Sequence, residues 1–296
     1  MPCEKDIKFL IADIDPMDIE YLKKYGNIQE NEAIKFDFKR LRNGNDLVLN
    51  EEMKKILPNG FHYRFDGSVN SFRIFGRIAL LEHGNFQKFY ETLKNTIESF
   101  DVSKGLCIHI VTSIFGGTGS GILIDIPYMI RHILKTLGFE KNQIHLSARL
   151  LLVPNGFFCS TRENGYATLK EVNYFMQLTE SKESFTFAYP EPMGEFESHE
   201  NIFDSCLLFD LNEDEKYPNE FFDIGYDIFQ SINCPEKQTV GQFMRKEKHL
   251  QICEYLADLE TRYNSFFRFG LHTNENMNPS WQEYPPVTGE NTLLYF

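Results

Sequence analysis

The sequence predicts an α/β protein: a doubly wound, mostly parallel, Rossmann-like sheet with helices on both faces. Three observations carry that expectation. Apolar runs at 7–15, 106–115, 143–154 and 204–212 are each followed by a stretch with helical spacing. The junction "IFGGTGSGIL" packs four glycines into six residues between a strand and a helix. A 296-residue chain with 42% hydrophobic residues, 28 Phe and 14 Tyr can bury one large core or two small ones.

In chain order, "IKFLIADID" (7–15) reads as a buried strand ending in acids. The helix "PMDIEYLKKYG" follows, opened by Pro16 and closed by Gly26. Residues 31–66 are irregular apart from a short strand at "AIKFDF", and "DGSVNS" (66–71) is a small-residue loop. The amphipathic stretch 72–100 is one helix, or two if Gly76 and Gly84 interrupt it. A strand at 106–115, the glycine loop and a helix over 121–137 come next. Strand 143–154 ends at a proline; helix 164–181, strand 204–212 and helix 219–232 follow. Beyond 233 a helix at 239–261 precedes an Asn/Pro-rich tail.

Composition excludes several classes. A formal charge of -13 opposes any electrostatic grip on a nucleic-acid backbone. No apolar run approaches the ~20 residues that span a bilayer, and "MPCEKDIKF" has neither the basic nor the apolar part of a signal peptide. The expected location is the cytoplasm. Cys3, Cys107, Cys159, Cys206, Cys234 and Cys253 form no CxxC pair, so buried, reduced thiols are expected.

The glycine loop points to an anion. First-turn N–H groups of a helix are unpaired, and the helix dipole favours negative charge there. Gly116, Gly117, Gly119 and Gly121 allow positive φ and let phosphate oxygens approach without a Cβ in the way; Thr118 and Ser120 add hydroxyls or cap the helix. A plain tight turn with a capped helix needs one or two glycines rather than four. The loop lacks the lysine of a Walker A motif and the spacing of a dinucleotide fingerprint.

The string "GGTGSG" resembles the signature loop of the tubulin superfamily, which cradles GTP phosphates. "ADIDPMDIEYL" (12–22) is similar to that family's acidic strand end and following helix. The resemblance implies that Asp13 and Asp15 orient Mg²⁺ and water near the phosphates, with Asp15 reaching the metal through water. "DGSVNSFRIFGRIAL" (66–80) resembles the third nucleotide loop and Gly-Arg-x-Ala helix start of the bacterial cell-division homologue. "LLVPNGFFCSTRENGYATL" (151–169) resembles the ribose and base contacts, with Asn164 the candidate for the base; "CLLFDLN" makes Asn212 a second candidate. The overall pattern resembles the bacterial tubulin-like proteins. It implies GTP or GDP with Mg²⁺ as ligands and self-association or a protein partner. It divides the chain into a nucleotide-binding domain over 1–232 and a reduced C-terminal segment over 233–296.

Two departures qualify the resemblance. The chain starts at what would be the family's second strand, without the first strand and first glycine loop, so a truncated domain is expected. In the sheet order 3-2-1-4-5-6 that strand separates 7–15 from 106–115. The loop that completes hydrolysis between subunits has no match after 232, where Glu236 and Glu247 lack its context. No catalytic residue is assigned, and three readings stand. They are a GTP-binding, filament-forming protein; a degenerate scaffold of the same fold; and a Rossmann-like metabolic enzyme, for which no acid/base cluster can be assembled. Arg73 and Arg77, one helical turn apart, read as a solvated face; His109 and His145 read as satisfied strand residues; the aromatics along 219–232 read as core.

Overall fold

The computed structural model describes residues 7–26, 28–37, 42–43, 46–47, 53–54, 72–100, 106–141, 144–152 and 159–209. The chain divides into two compact units. One draws on residues up to 108, 112–146 and 157–202; the other on 109–111, 147–156 and 203 onward.

The first unit opens with a βαβ turn of chain. Strand β1 (Ile11–Asp13) pairs in parallel with β2 (Ala33–Lys35), Ile11 opposite Ala33 and Asp13 opposite Lys35. Helix α1 (Pro16–Tyr25) makes the crossover that parallel pairing requires. Its ends are the predicted ones. Asp15 Oδ1 accepts from the Met17 amide at 2.8 Å, and the Gly26 amide donates to the Leu22 carbonyl at 2.7 Å. The strand is shorter than the apolar run 7–15, and Ile7 and Phe9 are exposed.

The amphipathic stretch after residue 72 forms two helices, α2 (Arg73–Leu81) and α3 (His83–Glu98). The break falls at Glu82 rather than at either glycine. Its backbone is extended, and its side chain accepts from the Asn85 amide at 2.8 Å, starting α3 afresh. Strand β5 (Leu106–Ser113) leads through the glycine loop into α4 (Thr118–Ile122) and α5 (Asp125–Thr136). The expected single helix over 121–137 therefore starts earlier and breaks at 123–124. After α5, Gly138 takes φ +78°, and the Phe139 amide donates to the Leu134 carbonyl at 3.0 Å. Two short strands, β3 (Arg42–Asn43) and β4 (Asp46–Leu47), pair antiparallel.

Helix α6 (Cys159–Phe175) and the single turn α7 (Leu178–Ser181) occupy the stretch read as one helix over 164–181. An antiparallel hairpin absent from the sequence reading follows, β7 (Phe185–Ala188) against β8 (Glu195–Ser198). It packs an aromatic cluster. The Tyr128 ring, fully buried, stacks on Phe185 at 5.0 Å and meets Phe196 at 5.5 Å and Phe175 at 6.0 Å.

In the second unit, residues 109–111 of β5, the Ser147–Leu151 part of β6 (Ile144–Leu151), and β9 (Ser205–Phe209) lie in the order β5-β6-β9. β6 and β9 run parallel, Ser147 opposite Ser205 and Leu151 opposite Phe209. Ala148, Leu150 and Cys206 are fully buried there. Helices alternating with parallel strands make this the α/β fold that the sequence predicts. Among the described residues, no helix is long and apolar enough to cross a membrane.

Candidate functional site

The glycine run begins where β5 stops. Residues 114–117 bend, Gly117 is the N-cap, and α4 starts at Thr118, inside the run rather than after it. Residues 115–119 are half-buried, while Ser120 and Gly121 are buried. None of the four glycines has positive φ; among the described residues that conformation falls to Gly138, Gly194 and Lys182. The expectation of left-handed turns is corrected, because the bend is built from helix-like angles such as φ −81° and ψ −51° at Gly117.

The glycines supply room instead, each differently. A Cβ on Gly121 would lie 2.1 Å from the Arg73 carbonyl oxygen, and one on Gly76 would lie 2.4 Å from the Gly117 carbonyl oxygen. α2 and α4 thus cross main chain against main chain. A Cβ on Gly119 would meet Thr112 Oγ1 at 2.0 Å, so this glycine rides on the strand end. Among the described residues a Cβ on Gly116 would meet Ser113 Oγ alone, at 3.1 Å, a tight contact with a side chain and not with main chain.

The acidic end of β1 lies against this loop. Thr118 Oγ1 donates to Asp13 Oδ1 at 2.8 Å across 105 residues of sequence. The same oxygen accepts from the amides of Ile14 at 2.6 Å and Asp15 at 3.2 Å. Asp15 is exposed and caps α1. Burial, and then the charges of Asp15 and Asp13, push the Asp18 carboxyl above its ordinary value. The mouth of the loop is therefore acidic.

Three side chains on the neighbouring helices hold the loop. Thr168 of α6 donates to the Ile114 carbonyl at 3.3 Å, and Asn164 Nδ2 donates to the Phe115 carbonyl at 3.2 Å. Arg73 of α2 donates to the Ser120 carbonyl at 3.2 Å and to Glu171 Oε1 at 2.9 Å, with a second bond to Glu171 Oε2. Ser120 Oγ donates to the Gly116 carbonyl.

Arg73 and Arg77 are not the solvated face that their spacing suggests. Arg77 makes a two-pronged pair with Asp125, Nε to Oδ2 and Nη2 to Oδ1 at 2.9 Å each, and Asp125 is fully buried. Tyr189 donates its hydroxyl to Asp125 Oδ1 at 2.7 Å, and the guanidinium lies 4.8 Å from the centre of the Phe187 ring. Burial opposes the charge on Arg77, but the Asp125 carboxylate outweighs it and raises the pKa. Burial, and then Asp125, push the Tyr189 phenol well above its usual value. Sequence reasoning missed Asp125, Glu171 and Tyr189. An acid inside the apolar run "ILIDIPYMI" was the available signal for the first; the other two carry none.

Both histidines lie in strands, as expected. His109 Nδ1 lies 2.7 Å from Ser147 Oγ and 2.6 Å from Arg149 Nη1; because the guanidinium only donates, Nδ1 accepts and the ring proton sits on Nε2. His145 is half-buried in β6. Cys107 and Cys206 are free thiols; Cys206 is buried as expected, but Cys107 is exposed. Asn212, the loop 66–71, the aromatics of 219–232, the helix at 239–261, the boundary at 232 and Cys3, Cys234 and Cys253 lie outside the described residues, as do the side chain of Cys159 and the segments that hold Glu236 and Glu247.

A sequence model of a family described as tubulin-like matches residues 66–273, more than two thirds of the chain. The match takes in the glycine loop, α2 and α6; Asp13 and Asp15 lie ahead of it. No curated protein and no solved structure matches.

Proposed function

The chain belongs to the tubulin-like family, and from that premise we propose that it binds GTP or GDP with Mg²⁺ through the loop 116–121. The observation that carries the reading is the bare main chain at Gly116, where among the described residues a Cβ meets Ser113 Oγ alone, in a loop whose Thr118 is bound to the Asp13 carboxylate. The first-turn amides of α4 have no intrahelical acceptor by the geometry of a helix start, and phosphate oxygens suit such donors. Phosphate oxygens beside Asp13, Asp15 and Asp18 meet like charge. A divalent cation would supply the charge neutralisation these acids need, with Asp15 holding it through water. Among the described residues no three His, Cys, Asp or Glu side chains are grouped to hold a metal by themselves. Asn164, tied to the Phe115 carbonyl, and Asn212 are the residues assigned to the base. Cytoplasmic residence, head-to-tail self-association and, in assembled form, GTP hydrolysis belong to the same reading.

Titration with a fluorescent GTP analogue and Mg²⁺ tests it. Saturable binding is expected, weakened by at least about tenfold in Gly116→Val, whose Cβ crowds the Ser113 side chain and, among the described residues, no main chain but that of its own neighbours. Competition by GTP but not ATP assigns the base. Sedimentation with and without nucleotide reads self-association, and phosphate release reads hydrolysis. Absence of binding below millimolar leaves the second reading, a scaffold of the same fold without nucleotide. One observation favours that alternative: Thr118 and Asp13, two groups the ligand would use, already satisfy each other.

A further inference from the structure

We propose that Arg73 is a positioning residue for the glycine loop, acting through a three-way clamp that joins α2, α4 and α6. The inference rests on the nucleotide reading above and extends it to residues that touch no ligand. Arg73 opens α2, and its main chain is the surface on which Gly121 rests. Its side chain then turns to the same helix from the other direction, donating to the Ser120 carbonyl while two further bonds fix the guanidinium on Glu171 of α6. α6 also holds the loop's leading edge through Asn164 and Thr168. The five-residue α4 is too short to be stable by itself, so its orientation must come from neighbours. Two backbones in contact have no side-chain layer to absorb a shift. Any displacement of α2 is passed directly to Gly117 and Gly121.

A planar fork is needed to bind one carbonyl and two carboxylate oxygens together, and a lysine ammonium offers no such geometry. Arg73→Lys keeps the charge and the ion pair with Glu171 but releases Ser120. Glu171→Gln keeps an acceptor and removes the charge that holds the fork in place. The neighbouring Arg77–Asp125 pair, whose carboxylate is fully buried, serves as the fold control; Glu171 also supports the charge on Arg77, so Arg73→Lys is the cleaner of the two variants.

The test measures amide hydrogen exchange in the nucleotide-free chain and affinity for the fluorescent GTP analogue with Mg²⁺. In Arg73→Lys, exchange over 116–122 is expected to rise about tenfold while α3 and α5 keep their protection, and affinity to fall about tenfold. Glu171→Gln should give the same pattern at a smaller size. Unchanged loop exchange in both variants overturns the proposal, as does loosening spread evenly through α2, α5 and α6, which would mark a general staple. A wild-type chain that binds no nucleotide overturns the nucleotide reading, and the exchange arm still decides whether Arg73 holds the loop.

Discussion

Two parts of the first unit are packed by opposite means. Where α2 crosses α4, side chains are withdrawn and main chain meets main chain at Gly76 and Gly121. Around Tyr128 the space is filled by rings, Phe175, Phe185 and Phe196 meeting it from three directions. The first arrangement fails when atoms are added and the second when they are taken away. Only the first transmits small displacements to the loop, since rings can shift past one another and two backbones in contact cannot. Tyr189 joins the two regions. Its ring packs on Phe187 and Phe196, and its hydroxyl reaches the carboxylate that holds Arg77 of α2.

Truncation in the ring cluster is the strongest way to break the contrast. Tyr128→Ala is expected to cost about 4 kcal/mol in chemical denaturation, by loss of a fully buried ring and the void it leaves. Next comes Gly121→Ala. Alanine gains roughly 1 kcal/mol of helix propensity over glycine, but a Cβ 2.1 Å from the Arg73 carbonyl oxygen forces the backbones apart. Overpacking of this kind costs about 3 kcal/mol, so a net loss of about 2 kcal/mol is expected, together with weakened nucleotide binding. A stable variant with normal binding would show that the crossing is loose.

Tyr189→Phe tests the joint. It removes one donor from a buried carboxylate that keeps both bonds from Arg77, for an expected loss of about 1–3 kcal/mol. Arg73–Glu171 and the loop should be untouched, and altered exchange over 116–122 would mean that the two regions are coupled through α2. The smallest effect is on acidification. Burial, and then Lys135, lower the pKa of His132, which lies beside Phe196 and 3.2 Å from the Tyr90 hydroxyl. The folded state thus favours the neutral ring. This contribution is present above the unfolded value of about 6.5 and is lost as pH falls through the lower folded value. His132→Gln should flatten that part of the stability profile.

The sequence disclosed what local rules govern. Pro16 and Gly26 mark α1 because helix ends need only neighbours, and the apolar runs mark β5, β6 and β9. The glycine run points to a loop between β5 and a helix, but the helix starts inside it. The sequence suggests positive φ, whereas the contact that requires glycine at 121 lies on another helix. The ion pairs were illegible for a similar reason. Arg77 and Asp125 are 48 residues apart and Arg73 and Glu171 are 98, so helical spacing alone could not reveal them. The β7–β8 hairpin escaped because each strand is four residues long, too short for alternation to stand out.

Asn85 carries a consequence for how the early strands are attached. Its carboxamide oxygen accepts from the Asp37 amide at 2.8 Å while its Nδ2 donates to the Asp37 carbonyl at 3.0 Å and to Ala79 at 2.8 Å. One side chain thereby imitates a peptide group of an adjoining strand, recognising residue 37 by both of its polar atoms. The βαβ turn at the start of the chain is thus sewn to the helical pair at residue 37, beside the contact of Phe36 with Phe89. Aspartate in its place would set negative oxygens against two carbonyls and unpick it.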